Sequence, residues 1–165
     1  MDSTGSLSGR IVAVSAGKAG RIEGIGKPVE TAFVKHEIAA RVHVGRLGIA
    51  GDEHVYEDHG GPDMALLAYP IEHYEHWRAL GIDLPPFAAM AENLTVSGLL
   101  EDQVCIGDIF QVGGATLQVT QPRSPCYKIA ARYGRKDLAL LVQETGFIGF
   151  LLRVIEEGEL GAGDE

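Results

Sequence analysis

The sequence predicts one domain, mainly β with a few short helices, and three observations lead there. Short stretches enriched in β-branched residues, alternating apolar with polar or wholly apolar, recur from Arg10 to Ile155 and are separated by glycines. Helical periodicity appears in only three short places. At 165 residues and 45% hydrophobic, the chain suffices for one core and is too short for two comfortable ones. Residues 1–9, polar and rich in Ser and Gly, read as a flexible tail, and 10–164 as a single domain without repeat or linker.

In chain order, Arg10-Ile-Val-Ala-Val-Ser15 is the first strand and ends at glycine. Gly17 to Gly26 reads as a flexible loop carrying Lys18, Arg21 and Glu23; its glycines match neither the GxGxxG nor the P-loop spacing, so a phosphate cradle is a weak reading. Arg41-Val-His-Val44 alternates like a strand, and Gly45 to Asp52 is a turn. Met64-Ala-Leu-Leu-Ala-Tyr69 has the length of a buried strand. Pro70 then opens a helix with Ile71, Tyr74, Trp77 and Leu80 on one face, which Gly81 stops. Leu84 to Phe87 is a proline-stiffened connector to the strand Glu92–Val96. Val104-Cys105-Ile106 is apolar, which places Cys105 in the core. Ile109–Val112 and Thr116–Thr120 pair across Gly113-Gly114 as a hairpin. Pro122 ends that hairpin, because proline cannot donate to a sheet ladder. Ser124 is then an N-cap, Pro125 the first helical residue, and the helix runs to Gly134 with Cys126 in its first turn. A further short helix spans Lys136 to Glu144, a final apolar strand runs from Gly149 to Ile155, and the rest finishes in turns.

Chemistry gathers at Gln121-Pro-Arg-Ser-Pro-Cys126-Tyr-Lys128. A thiol in a first helical turn meets unpaired N–H groups, the positive helix end, Arg123 and Lys128, all of which favour the thiolate over a merely buried thiol. From Ile109 to Lys136 there is no Asp or Glu, yet five Lys or Arg residues fall there in a chain of net charge -9. Such a basic island indicates a local site for a small anion. The overall acidity argues against nucleic-acid binding. There is no apolar run of membrane-spanning length and no leader pattern, so a soluble, cytoplasmic protein that does not engage a membrane is expected. Two cysteines make no disulfide framework.

A second polar segment holds Asp52, Glu53, His54, Glu57, Asp58, His59 and Asp63, all metal-competent types. His54 and His59 are nevertheless spaced for no helix face, and Asp58-His-Gly-Gly-Pro-Asp63 reads better as a turn presenting His59 to a cavity. Arg153, within an apolar strand, is either paired with a carboxylate or aimed at an anionic ligand. Glu92 and Asn93 either serve a polar ligand or close a turn.

The succession Gly26-Lys27-Pro28-Val29, Gly48-Ile-Ala-Gly51-Asp52, His59-Gly60-Gly61-Pro62-Asp63, Glu92-Asn93-Leu94-Thr95, Gly107-Asp108, Pro122-Arg123-Ser124-Pro125-Cys126 and Gly149-Phe-Leu-Leu-Arg153 resembles the MOSC domain, also found at the C-terminus of molybdenum-cofactor sulfurases. The likeness is greatest to bacterial stand-alone members that act on N-hydroxylated base analogues. It implies a MOSC-type β-barrel with peripheral helices and a molybdenum cofactor (molybdopterin) whose metal is ligated by Cys126. Lys27, Asn93, Arg123, Lys128 and Arg153 fall at motif positions expected to line the cofactor pocket. Cys126 and His59 are the expected catalytic pair, His59 as a proton source. The implied activity is reduction of a small N-hydroxylated compound, with an electron-donating redox protein as partner. The alternative is a carrier that holds sulfur as a Cys126 persulfide, or holds the cofactor, for delivery. Two departures accompany the resemblance. Ala91 stands where the family usually has glycine, which predicts a repacked turn, and the chain ends at Glu165 without the small helical extension of the base-analogue reductases.

Overall fold

In the computed structural model, which describes residues 6–55 and 60–165, the apolar alternation of the sequence is spent on one curled sheet that forms a half-barrel. Its strands, from edge to edge, are β4 (His36–Glu37), β1 (Arg10–Ala16), β8 (Leu94–Ser97), β7 (Leu66–Pro70), β11 (Phe150–Glu156), β10 (Ala115–Pro122) and β9 (Ile109–Val112). All neighbours are antiparallel except β7 and β8, which run parallel and are joined through α1 (Tyr74–Ala79) and the loop after it. A second sheet of β12 (Gly158–Leu160), β5 (Val42–Gly45) and β6 (Gly48–Ile49) packs its Val44, Ile49 and Leu160 into the same core. Alternate residues of β10, Leu117 and Val119, point into that core, as the period of a half-buried strand requires.

A second apolar cluster lies under the helices α1, α2 (Tyr127–Tyr133) and α3 (Leu138–Thr145), centred on Tyr69, Trp77, Met90, Ile129 and Leu138. Trp77 donates its indole N–H to the Tyr69 hydroxyl at 2.8 Å, and that hydroxyl donates to the Phe147 carbonyl at 2.9 Å. Two buried aromatics thereby keep their polar tips satisfied.

Several expectations need correction. The glycine-rich stretch after Gly17 is a β-ribbon, since β2 (Gly20–Ile22) pairs with β3 (Val29–Thr31). The turn expected before Asp52 contains β6, and the C-terminal turns contain β12, which pairs with β5. Cys105 is exposed, not core: Asp108 accepts the Cys105 N–H at 2.8 Å, Val104 alone of the apolar triplet packs against the core, and Ile106 is exposed as well. The helix after Pro125 begins later than Ser124 predicts, with Cys126 itself at the N-cap in extended conformation. The hairpin across Gly113-Gly114, the stop at Pro122 and the helix after Pro70 are as expected.

Candidate functional site

At the end of the half-barrel where β10 terminates, a cavity of about 560 Å³ opens between the β3–β4 segment, the start of β7 and the N-terminal turn of α2. Its wall brings together Cys126, Arg123, Lys128 and Asn93 with Lys35 and His54. Pro122 ends β10 opposite Phe150, and Arg123 donates its backbone N–H to the Gly149 carbonyl at 3.2 Å, so the chain leaves the sheet in a fixed direction. Cys126 then caps α2, whose first backbone bond runs from the Ile129 N–H to the Cys126 carbonyl at 3.2 Å. The sulfur is half-buried at the wall.

The Arg123 guanidinium donates from Nη1 to the Met90 carbonyl at 2.7 Å and lies 5.8 Å from the centre of the Phe33 ring. Burial pulls its proton affinity below the ordinary value, while Cys126 and Glu92 push it back up. Lys128 is buried in the first turn of α2. Glu92, wholly buried, accepts from the Tyr74 hydroxyl, from Thr95 Oγ1 at 3.0 Å and from the Met90 N–H at 2.8 Å, and burial raises its pKa. The turn this carboxyl closes holds Ala91 at φ +66°, the left-handed conformation that the family glycine would adopt without strain. Ala91 lines the cavity wall.

On the opposite wall, Lys35 and Asp52 form an ion pair at 2.5 Å with side chains only 6% and 3% exposed. Asp52 also accepts the Gly17 N–H at 3.0 Å and Asn93 Nδ2 at 2.8 Å. Asn93 in turn donates to the Ser15 carbonyl at 3.2 Å and accepts the Leu67 N–H at 3.0 Å. Its amide therefore clamps β1, β7 and the Asp52 loop together, beside the cavity it lines. His54 sits next to this pair; burial lowers its pKa and the Lys35 charge adds to the fall, with Asp52 opposing.

Not every expected residue converges here. Lys27 lies in the exposed β2–β3 turn and Arg153 on the outer face of β11, where it pairs with Asp63 at 3.1 Å; neither borders the cavity. His59 is outside the described residues, although its neighbour Gly60 lines the wall. Among the described residues no group of three His, Cys, Asp or Glu side chains is arranged to hold a metal. No helix there is long and apolar enough to cross a membrane. Lys35 was not expected. Its only sequence signal is a lysine closing the apolar run Ala32-Phe33-Val34, and its partner Asp52 is distant in sequence.

Comparison with known proteins sets this pocket in context. Residues 55–165 match the model of the MOSC domain. The chain is 42% identical over 154 residues to the uncharacterized protein YflK of Bacillus subtilis, covering 93% of this chain and 70% of that one. It is 44% identical to protein YiiM of Escherichia coli, covering 83% of this chain and 62% of that one. A protein of Gibberella moniliformis named a reductase is 34% identical, over 89% of this chain but 27% of its own length. The crystal structure of YiiM from Geobacillus stearothermophilus superposes with a TM-score of 0.77 at 37% identity, over 95% of this chain and 73% of that one.

Proposed function

The chain belongs to the MOSC domain family, and from that premise we propose that it binds a molybdenum cofactor through Cys126 and reduces small N-hydroxylated compounds. The observation that carries the reading is the half-buried thiol of Cys126 sharing one cavity wall with Arg123 and Lys128.

The donor set fits such a group. A thiolate is the soft ligand that a thiophilic metal takes, and cationic side chains suit a phosphate-bearing pterin. A cavity of about 560 Å³ lies within the range of roughly 300–1,000 Å³ usual for small-molecule sites. When bound, the cofactor supplies the two-electron chemistry that cleavage of an N–O bond requires. The chain's own residues do the rest. Cys126 anchors, Arg123 and Lys128 neutralise negative charge, and the Asn93–Asp52–Lys35 clamp keeps the far wall from collapsing onto the ligand. Protonation of the departing oxygen falls to His59, one residue from the lining Gly60. Electrons come from a separate redox protein. The reductase name of the Gibberella relative supports this direction of chemistry, although most of that protein lies beyond the matched part.

The test is molybdenum content of protein made in cells with an intact cofactor pathway, alongside turnover of a hydroxylamine. Near-stoichiometric metal that disappears in Cys126→Ser, with turnover lost in parallel, is the expected result. Metal-free protein carrying a Cys126 persulfide and showing no turnover overturns it in favour of sulfur delivery.

A further inference from the structure

Among the described residues, Glu92 is the one fully buried carboxyl behind the cavity that the reading above leaves without a task. It forms no ion pair among the described residues, yet three donors converge on it: the Tyr74 hydroxyl, Thr95 Oγ1 and the Met90 N–H. Satisfying a buried carboxyl this fully is costly to abandon, because an unpaired polar group in the interior loses its whole desolvation energy. The geometry beyond Met90 gives the arrangement a purpose. The same residue whose N–H is held at 2.8 Å by Glu92 offers its carbonyl to Arg123 Nη1 at 2.7 Å. Arg123 lines the same cavity wall as Cys126, three residues on in the chain. The guanidinium carbon also lies 5.8 Å from the centre of the Phe33 ring, and the hydrogen bond to the Met90 carbonyl fixes where its charge sits.

We propose that Glu92 is a positioning residue which, by holding the Met90 segment of the turn, fixes the Arg123 guanidinium beside the sulfur of Cys126. The inference deepens the reading of the Cys126 site but is tested on the thiol alone, so it fails or stands separately from molybdenum binding. Three features select Glu92 rather than a general core role. Its oxygens divide between the sheet, through Thr95, the helix α1, through Tyr74, and the turn, through Met90. The turn carries two left-handed non-glycine residues, Ala88 at φ +56° and Ala91 at φ +66°, a conformation that needs outside support. Tyr74 supplies that support a second time, accepting the Ala89 N–H at 3.1 Å.

A pair of alkylating reagents measures the charge at the sulfur. Iodoacetate and iodoacetamide both react with the thiolate, so the ratio of their rates at Cys126 cancels thiol ionisation and reports the local positive charge. Cofactor-free protein with Cys105 replaced by serine gives a single reactive site. One unit charge about 4 Å away changes such a ratio by about fivefold even at the permittivity of bulk water, and by more in a partly desolvated wall. Arg123→Met sets the value without the guanidinium. The expected result is that Glu92→Gln lowers the ratio most of the way to that value, and that adding Glu92→Gln to Arg123→Met lowers it no further. A ratio that rises in Glu92→Gln overturns the proposal, since it means Glu92 acts only as a counter-charge. An unchanged ratio with a lowered melting temperature also overturns it, since Glu92 then only supports the fold. Should Glu92→Gln not fold, Thr95→Val removes a single donor and decides on the same scale: a fall of about twofold supports the proposal, and no change or a rise overturns it.

Discussion

Asp52 shows how differently a residue reads by type and by contacts. In the sequence it belongs to a run of metal-competent side chains; in the fold its oxygens are committed to Lys35 Nζ, the Gly17 N–H and Asn93 Nδ2. Asp52→Ala therefore strands a buried ammonium and two further donors, and we expect a loss of about 3–5 kcal/mol in urea unfolding. Lys35→Met removes the charge but leaves the other two bonds to Asp52, and a smaller loss than that of Asp52→Ala is expected in the same measurement. That Cys126, Arg123 and Lys128 would share one wall was legible because all three fall within one short motif. Residue-level reading fails for Lys35, whose role arises only when the Asp52 loop returns to it, and for Cys105, because an apolar triplet does not encode which way a turn presents it.

The start of β11 illustrates how one element is held in register. Gly149 at φ +74° donates its N–H to Glu101 Oε1 at 2.8 Å, and a Cβ placed there would stand 2.5 Å from the Ala68 carbonyl oxygen. Gly149→Ala thus combines an unfavourable backbone conformation with a clash against β7, and destabilisation of at least about 2 kcal/mol is expected from denaturant unfolding. Glu101 also accepts from His73 Nε2 at 2.7 Å. Burial alone raises the Glu101 pKa, but the hydrogen bonds from His73 and Gly149 outweigh it and hold the carboxyl below its ordinary value. A carboxyl depressed in the folded state stabilises it above the unfolded pKa, and that contribution is lost as pH falls through the folded value. Acid titration of thermal stability should therefore be shallower in Glu101→Gln than in the wild type below about pH 4.5. Strand existence was legible from alternation for most of the half-barrel. The pieces that escaped, β2, β3, β4, β6 and β12, are two or three residues long, too short for any period to register, and their pairing is set by partners elsewhere in the chain.

Across the whole molecule, whose net charge is -9, the basic residues differ in what they face. Arg123, Lys128 and Lys35 border the cavity, whereas Lys27 sits in an exposed turn and Arg153 is paired with Asp63 on the outer face of the half-barrel. Charge inside a partly desolvated cavity acts at a lower effective permittivity and is less screened than charge at the surface. The motif positions alone give Lys27, Arg123, Lys128 and Arg153 equal standing, because a motif marks order in the chain and not the side of a sheet. The fold separates them: in β11 the alternation that buries Leu152 and Val154 turns Arg153 outward. If the cavity holds an anionic cofactor, replacing Arg123 or Lys128 by methionine should lower the molybdenum retained after dialysis by about tenfold, the equivalent of about 1.4 kcal/mol. Lys27→Met and Arg153→Met should change it by less than about twofold, because exposed charges contribute about 1 kcal/mol or less. Repeating the dialysis at raised ionic strength separates the two classes again, since added salt screens exposed charges most and weakens any contribution they make before it reaches that of Arg123.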